Sequence, residues 1–189
     1  MGRTFGINLL GKKSSKLMSY LDHAITRNSY IKNRQQALYS FLHSDVLQLL
    51  NLGHQQQALI RVEHVIKSKD MLDALDLIDS YCNLLAQNES LIEKSKECPN
   101  EFKEAIGSLI YASSRIGDFP ELQHIRNYFT LKYGQQFVLQ ALESPTSFGV
   151  NDKIIQKLSR SEPSLETRFN FVRKIASNKD VTQMLSNSK

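Results

Sequence analysis

The sequence predicts an all-α protein, and three observations predict it. Residues 16–52 and 55–96 contain neither Pro nor Gly. Both segments carry apolar residues at steps of three, four or seven, the period of one helix face. No strand-length run alternates apolar with polar residues. The first segment places Leu17, Leu21, Ala24, Ile31, Leu38, Leu42, Val46 and Leu49 on one stripe, interrupted at Asn28 and Gln35. At 1.5 Å per residue it makes a rod of ~55 Å. Gly53 can end that rod in the left-handed conformation. The second segment places Ala58, Val62, Val65, Leu72, Leu75, Cys82 and Leu85 on its own stripe. Two striped helices joined at a single Gly bury both stripes most directly by folding back as an antiparallel hairpin.

Shorter helices follow, punctuated by Pro and Gly. Pro99 opens one with Phe102, Ile106, Leu109 and Ile110 inward, closed by Gly117. Pro120 opens another with Leu122, Ile125 and Phe129 inward, ending at Gly134. Phe137, Val138, Ala141 and Leu142 form a third, stopped before Pro145. Asn151 is an N-cap for residues 153–158. Pro163 starts a last helix carrying Leu165, Phe169, Val172 and Ile175. The domain reading is a basic segment at 1–15, a helical domain at 16–177 and a polar, fraying tail at 178–189.

Composition narrows the function classes. With 41% apolar residues the 189-residue chain can bury a core. No apolar run approaches the ~18 residues of a membrane span. The first ten residues are broken by Arg3, Gly6 and Asn8 and lack the apolar core of a secretory signal. Gly2 is not followed by the Ser or Thr at position six that myristoylation wants. A cytoplasmic protein is expected. Cys82 and Cys98 are 16 apart with no CxxC and no His pair, so neither a zinc site nor a disulfide framework is expected. There is no phosphate loop, no GxSxG and no HExxH, and none of the five histidines lies one helical turn from a Cys or another His. The reading is of a protein that is not an enzyme and needs no cofactor.

Charge is unevenly placed. Residues 1–53 hold seven Lys/Arg and two Asp/Glu, while residues 54–189 hold seventeen of each. The basic end points to an anionic partner, or is a solvated helix face. Nucleic-acid binding would need aromatics or a recognition helix among the basic residues, and Tyr20 and Tyr30 fall at spacings that suit packing; no nucleic acid is expected. Asp70, Asp73, Asp76 and Asp79 recur every third residue, a period that drifts around a helix. They read as a solvated acidic face or as a landing strip for a basic helix.

Arg61-Val62-Glu63-His64-Val65-Ile66 resembles the signature segment of the Increased Sodium Tolerance family of ESCRT-III regulators. Tyr81-Cys82-Asn83-Leu84-Leu85, Lys96-Glu97-Cys98-Pro99, Lys103-Glu104-Ala105-Ile106, Ser108-Leu109-Ile110, Pro120-Glu121-Leu122, Lys132-Tyr133-Gly134, Gly149-Val150-Asn151 and Lys157-Leu158-Ser159 follow in that family's order. The resemblance spans roughly residues 45–177. It implies the ESCRT-III-type helical core, a long hairpin with shorter helices packed at one end. It also implies binding to ESCRT-III subunits of the charged multivesicular body protein class, modulation of the AAA ATPase that disassembles their filaments, and recruitment from the cytoplasm to endosomes. A structural subunit co-polymerising into ESCRT-III filaments is the alternative.

Arg61, Glu63 and His64 are then candidates for partner contact or for fixing the hairpin's register, with Arg61 and His64 on a different face from Glu63. Lys12, Lys13, Lys16, Arg27, Lys32 and Arg34 are candidates for filament contact or weak contact with an anionic membrane. The first helix is poorer in Lys and Arg than the family's pattern. Family members commonly continue into a linker and a motif that binds the ATPase's MIT domain; the sequence ending at Lys189 carries none in that place, so ATPase contact is expected to be indirect. Glu162, Leu165, Arg168, Phe169, Val172 and Arg173 do match the MIT-binding spacing, with Phe and Val for two leucines, on a helix whose apolar face the family fold would bury.

Overall fold

The computed structural model describes residues 15–159 and 161–186, with side chains described through residue 177. Helix α1, Lys16–Asn51, starts at Ser15, whose Oγ accepts the Met18 N–H at 3.1 Å. It ends in a Schellman cap: Gly53 has φ 78°, its N–H reaches Leu50 O, and the His54 N–H reaches Leu49 O at 2.9 Å. Helix α2, Gln55–Gln87, runs back antiparallel along α1. The sequence placed one helix over 55–96; it breaks at Asn88, whose side-chain amide bonds back to Leu84 O and whose backbone leaves the helical region. A short α3, Glu89–Lys94, follows.

The remaining helices are α4, Asn100–Ser113; α5, Pro120–Tyr133; α6, Gln135–Glu143; α7, Pro145–Phe148; α8, Asp152–Lys157; and α9, Leu165–Ser186. The expected stop before Pro145 is a break between α6 and α7, because Pro145 opens a further turn that Gly149 closes at φ 97°. Asn151 caps α8 as expected, its Oδ1 accepting the Lys153 and Ile154 N–H groups. The last helix starts two residues after Pro163, where Ser164 Oγ accepts the Thr167 N–H, and it continues past residue 177 to Ser186.

Two apolar clusters hold these elements. The larger lies at the open end of the hairpin, where Leu17, Leu21, Leu75, Ile78, Cys82 and Leu85 meet Ile106, Leu109, Ile110, Phe119, Leu122, Ile125 and Phe129. Helix α4 runs through its middle and is buried continuously from Ala105 to Ser113. The smaller lies near the hairpin tip, where Leu42, Val46, Ala58, Val62, Val65 and Ile66 receive Ile175, Phe171 and Val172 of α9. The α2 stripe is buried at every residue the periodicity chose. On α1, Leu38 is 46% exposed, because no element crosses the hairpin over it. The two polar interruptions pair across the seam: Asn28 Nδ2 donates to Leu75 O at 3.0 Å, and Gln35 Nε2 to Ser68 Oγ at 2.9 Å.

Candidate partner-binding surfaces

Arg61, Glu63 and His64 part company on α2. Arg61 pairs with Asp45 of α1 at 2.6 Å, a charge contact across the hairpin seam. Two residues on, which is ~200° around a helix, Glu63 binds Lys67 and, at 3.1 Å, Arg168 of α9. The Lys67 hydrogen bond, helped by the charges of Lys67 and Arg168, holds the Glu63 carboxyl below its ordinary value. His64 lies on the Arg61 side, where Gln35, Leu38, Leu42, Arg61, Ser68 and Met71 line a shallow depression on the hairpin. Exposed Phe41 and Ile60 lie one helical step from Leu38 and His64 in sequence.

The basic residues of α1 are largely engaged within the chain. Arg27 pairs with Glu121 at 3.0 Å and Arg34 with Asp118 at 2.8 Å, which ties α1 to the start of α5 and the loop before it. Lys32 pairs with Asp76. Lys16 stays exposed, with no ion pair among the described residues. Lys12 and Lys13 lie outside the described residues. The acidic run is likewise used. Lys157 of α8 bridges Asp70 and Asp73 at 2.7 and 2.9 Å, Lys69 takes Asp73 at 2.7 Å, and Asp79 accepts from Asn28. Of the face read from sequence as solvated, or as a strip for a basic helix, Asp70 and Asp73 hold the chain's own α8, while Asp76 and Asp79 pair with Lys32 and Asn28 of α1.

The MIT-like pattern on α9 is split by its docking. Arg168 reaches Glu63, Glu162 and Pro163 O, and Val172 packs against the tip cluster. Leu165 and Phe169 are exposed instead of buried, because the apolar packing of α9 on the hairpin is made by Phe171, Val172 and Ile175.

One surface escaped the sequence reading. Along the first four turns of α1, Lys16, Tyr20, His23, Arg27 and Tyr30 recur at alternating steps of four and three. Glu121, His124, Tyr128 and Leu131 recur on α5 at steps of three and four. The two rows flank a furrow made of two adjoining hollows of about 360 and 240 Å³. Tyr20 and His124 touch ring to ring across it at 5.4 Å. Leu131 on its rim is 85% exposed, the most exposed large apolar side chain described. Burial, together with the bond it donates to Glu93, pushes the Tyr128 phenol above its ordinary value, so it stays a neutral donor. The aromatic row was visible in the sequence but was assigned to packing, since its spacing also suits a core stripe. A further hollow of about 500 Å³, between α2 and the segment leading into α9, is lined by Lys67, Asp70, Lys157 and Glu162, each in an ion pair, and by Arg115, which lies over the Tyr111 ring.

Among the described residues no group of three His, Cys, Asp or Glu could hold a metal, and no helix is long and apolar enough to cross a membrane.

The family model for Ist1, described as regulator of Vps4 activity in the MVB pathway, matches residues 19–182. This chain belongs to the Ist1 family. It is 34% identical over 163 residues to the IST1-like protein of Dictyostelium discoideum, covering 86% of this chain and 44% of that protein. It is 30% identical over 176 residues to the vacuolar protein sorting-associated protein IST1 of Saccharomyces cerevisiae, covering 88% of this chain and 58% of that one. The Ist1-family chain thus spans about half the length of these relatives. Its fold superposes with TM-score 0.78 and 29% identity on the crystal structure of the S. cerevisiae Ist1 N-terminal domain in complex with a Did2 MIM motif, covering 87% of this chain and 91% of that one. The all-α, ESCRT-III-like hairpin architecture expected from the sequence is therefore the Ist1 N-terminal fold. The family's described role is regulatory and not catalytic.

Proposed function

We propose that this Ist1-family chain is an adaptor of the multivesicular-body pathway that binds ESCRT-III subunits of the charged multivesicular body protein class by holding one helix of the subunit's tail. The observation that carries the reading is the superposition, over 87% of the chain, on an Ist1 domain solved with a MIM motif. The physical basis is helix-in-groove recognition: an amphipathic helix buries its apolar seam on a preformed helical surface. The AAA ATPase is reached through the subunit. Arg168 and Val172, the centre of the only MIT-like pattern in α9, are turned to the chain's own hairpin, which supports that indirect route. Endosomal recruitment follows from the bound subunit, with exposed Lys16 as the described residue for weak contact with anionic lipid and Lys12 and Lys13, outside the described residues, as its sequence neighbours in that role. Such contact is worth about 1 kcal/mol per basic group near the leaflet.

Co-precipitation with purified ESCRT-III subunits and, separately, with the ATPase tests this. Capture of a charged multivesicular body protein without capture of the ATPase alone is expected. Direct ATPase capture with no ESCRT-III capture contradicts it. A second reading, a subunit that co-polymerises on membranes, is favoured by Leu38, Phe41 and Ile60 standing exposed along the hairpin. Electron microscopy with an ESCRT-III subunit and anionic liposomes separates the two: coated tubules indicate the polymer, and a soluble complex the adaptor.

A further inference from the structure

We propose that Ser161, in the segment leading into α9, is a phosphorylation site, and that Arg115 holds its phosphate across the hollow between α2 and that segment, fastening α9 to the body of the domain. Three observations carry it. The first is the acceptor. Helix α8 ends at Lys157 and α9 starts at Leu165, and no described residue between them is helical. Ser161 lies at the centre of that stretch and is exposed. A protein kinase takes its acceptor from an accessible, extended segment, which a hydroxyl in mid-helix does not offer. The neighbouring hydroxyls are already employed: Ser164 Oγ accepts the Thr167 N–H as the cap of α9, and Ser159 Oγ accepts the Ser161 N–H at 3.1 Å. Ser161 Oγ bonds only Ser159 Oγ, at 2.6 Å. In the reaction Ser161 Oγ attacks the γ-phosphorus of ATP. The bond to the β,γ-bridging oxygen breaks, ADP leaves, and the hydroxyl proton passes to the kinase's base.

The second is the cradle. Ser161 lines the hollow of about 500 Å³ together with three cations, Lys67, Arg115 and Lys157. Lys67 is taken by Glu63, and Lys157 by Asp70 and Asp73. Arg115 is exposed, lies over the Tyr111 ring at 4.9 Å, and has no carboxylate partner among the described residues. The two carboxylates facing the hollow are neutralised from outside or beside it, Asp70 by Lys157 and Glu162 by Arg168. An added phosphate, with close to two negative charges at neutral pH, therefore meets one uncommitted guanidinium, whose fork matches two phosphate oxygens.

The third is leverage. From Ser159 to Leu165 no described residue is buried, so the lead-in to α9 is anchored by polar contacts alone. Helix α9 itself rests on Phe171, Val172, Ile175 and the Arg168–Glu63 pair. Arg115 sits in the turn that closes α4, the helix buried continuously from Ala105 to Ser113. A phosphate bound there ties α9 to the core of the larger cluster, and its removal returns α9 to its own few contacts. The modification thus sets how firmly the last helix is held.

The test uses the full chain with phosphoserine built in at position 161 during translation, beside the unmodified chain. A phosphorus NMR titration is expected to place the phosphate's second pKa below the value of about 6 found for free phosphoserine, and Arg115→Gln to return it there. Amides of residues 165–175 should exchange about threefold to tenfold more slowly in the phosphorylated chain, with α4 unchanged. Arg115→Gln should abolish the slowing, and Arg115→Lys, which keeps the charge but not the fork, should retain part of it. Arg115 is exposed, and unaltered exchange in the unmodified variants would show that they are folded. A phosphate that titrates like free phosphoserine, or equal slowing in Arg115→Gln, overturns the Arg115 contact. Mass spectrometry of the chain expressed in eukaryotic cells, with phosphatases inhibited, is expected to place a phosphate on Ser161. Phosphate on Ser159 or Ser164 alone, or on none of the three, overturns the site.

Discussion

Gly107 shows how tightly single residues are fixed at the crowded end of the molecule. It lies mid-helix in α4, where Gly is intrinsically unfavourable by about 1 kcal/mol relative to Ala. The packing explains it: a Cβ built there would sit 2.5 Å from Phe148 Cε1 and 3.3 Å from Val150 Cγ2. Phe148 is itself held edge-on by Phe137, so it has little room to yield. Gly107→Ala should therefore destabilise the protein by about 1–3 kcal/mol despite its better helix propensity. Urea unfolding checks the sign, and a stabilised variant would mean that α7 is free to move. Nothing in the sequence announced this contact, because Gly107 and Phe148 are brought together only by the path of α5 and α6. The same holds for the charged residues. Their identities were plain, but whether Arg27 or Lys32 faces solvent or a carboxylate depends on which helix lies beside it.

Among the elements, the hairpin was the most legible. Its two stripes and its Gly53 corner are local signals, and the structure uses each. What periodicity could not reveal was the purpose of the polar interruptions. Asn28 is buried in the seam and donates to Leu75 O and Asp79 Oδ1, so it pays its desolvation only when α1 and α2 are aligned as they are. A buried polar residue at one seam position is a register device. Asn28→Asp replaces that donor with an acceptor facing a carbonyl and a carboxylate. It should cost on the order of 2 kcal/mol or more, and more at neutral pH than at pH 4, where the added carboxyl protonates and donates again. Thermal unfolding at the two pH values reads it out; equal losses at both would place the seam's alignment elsewhere. The break at Asn88 and the split of α6 from α7 were illegible for a related reason: a side chain that bonds back to its own helix, or a Pro that opens a new turn, looks the same in sequence whether the chain continues or bends.

For the whole molecule the two apolar clusters imply unequal strength. Helices α4 to α8 are built into the larger core, whereas α9 is held by Ile175, Phe171, Val172 and the Arg168–Glu63 pair. Because bonds from Lys67 and the nearby Arg168 lower the folded Glu63 pKa, this contribution is fully present above the ordinary carboxylate range and is lost as pH falls through the lowered value. Exchange of α9 amides should thus be steady relative to α4 from neutral pH down to about pH 5, and accelerate below about pH 4. Glu63→Gln should remove that acid-dependent step while leaving α4 unchanged. The signature segment that identifies the family in sequence is, in three dimensions, the place where α2 holds both α1, through Arg61, and α9, through Glu63. The furrow between α1 and α5 was the least legible feature, since it needs two rows of residues a hundred positions apart to be set side by side.

The most direct measurement is hydrogen-exchange footprinting of the full chain with and without a saturating charged multivesicular body protein. The account predicts added protection on surface helices of the domain when the subunit is bound, with the buried helix α4 unchanged. No added protection at any concentration that saturates a family relative would contradict it.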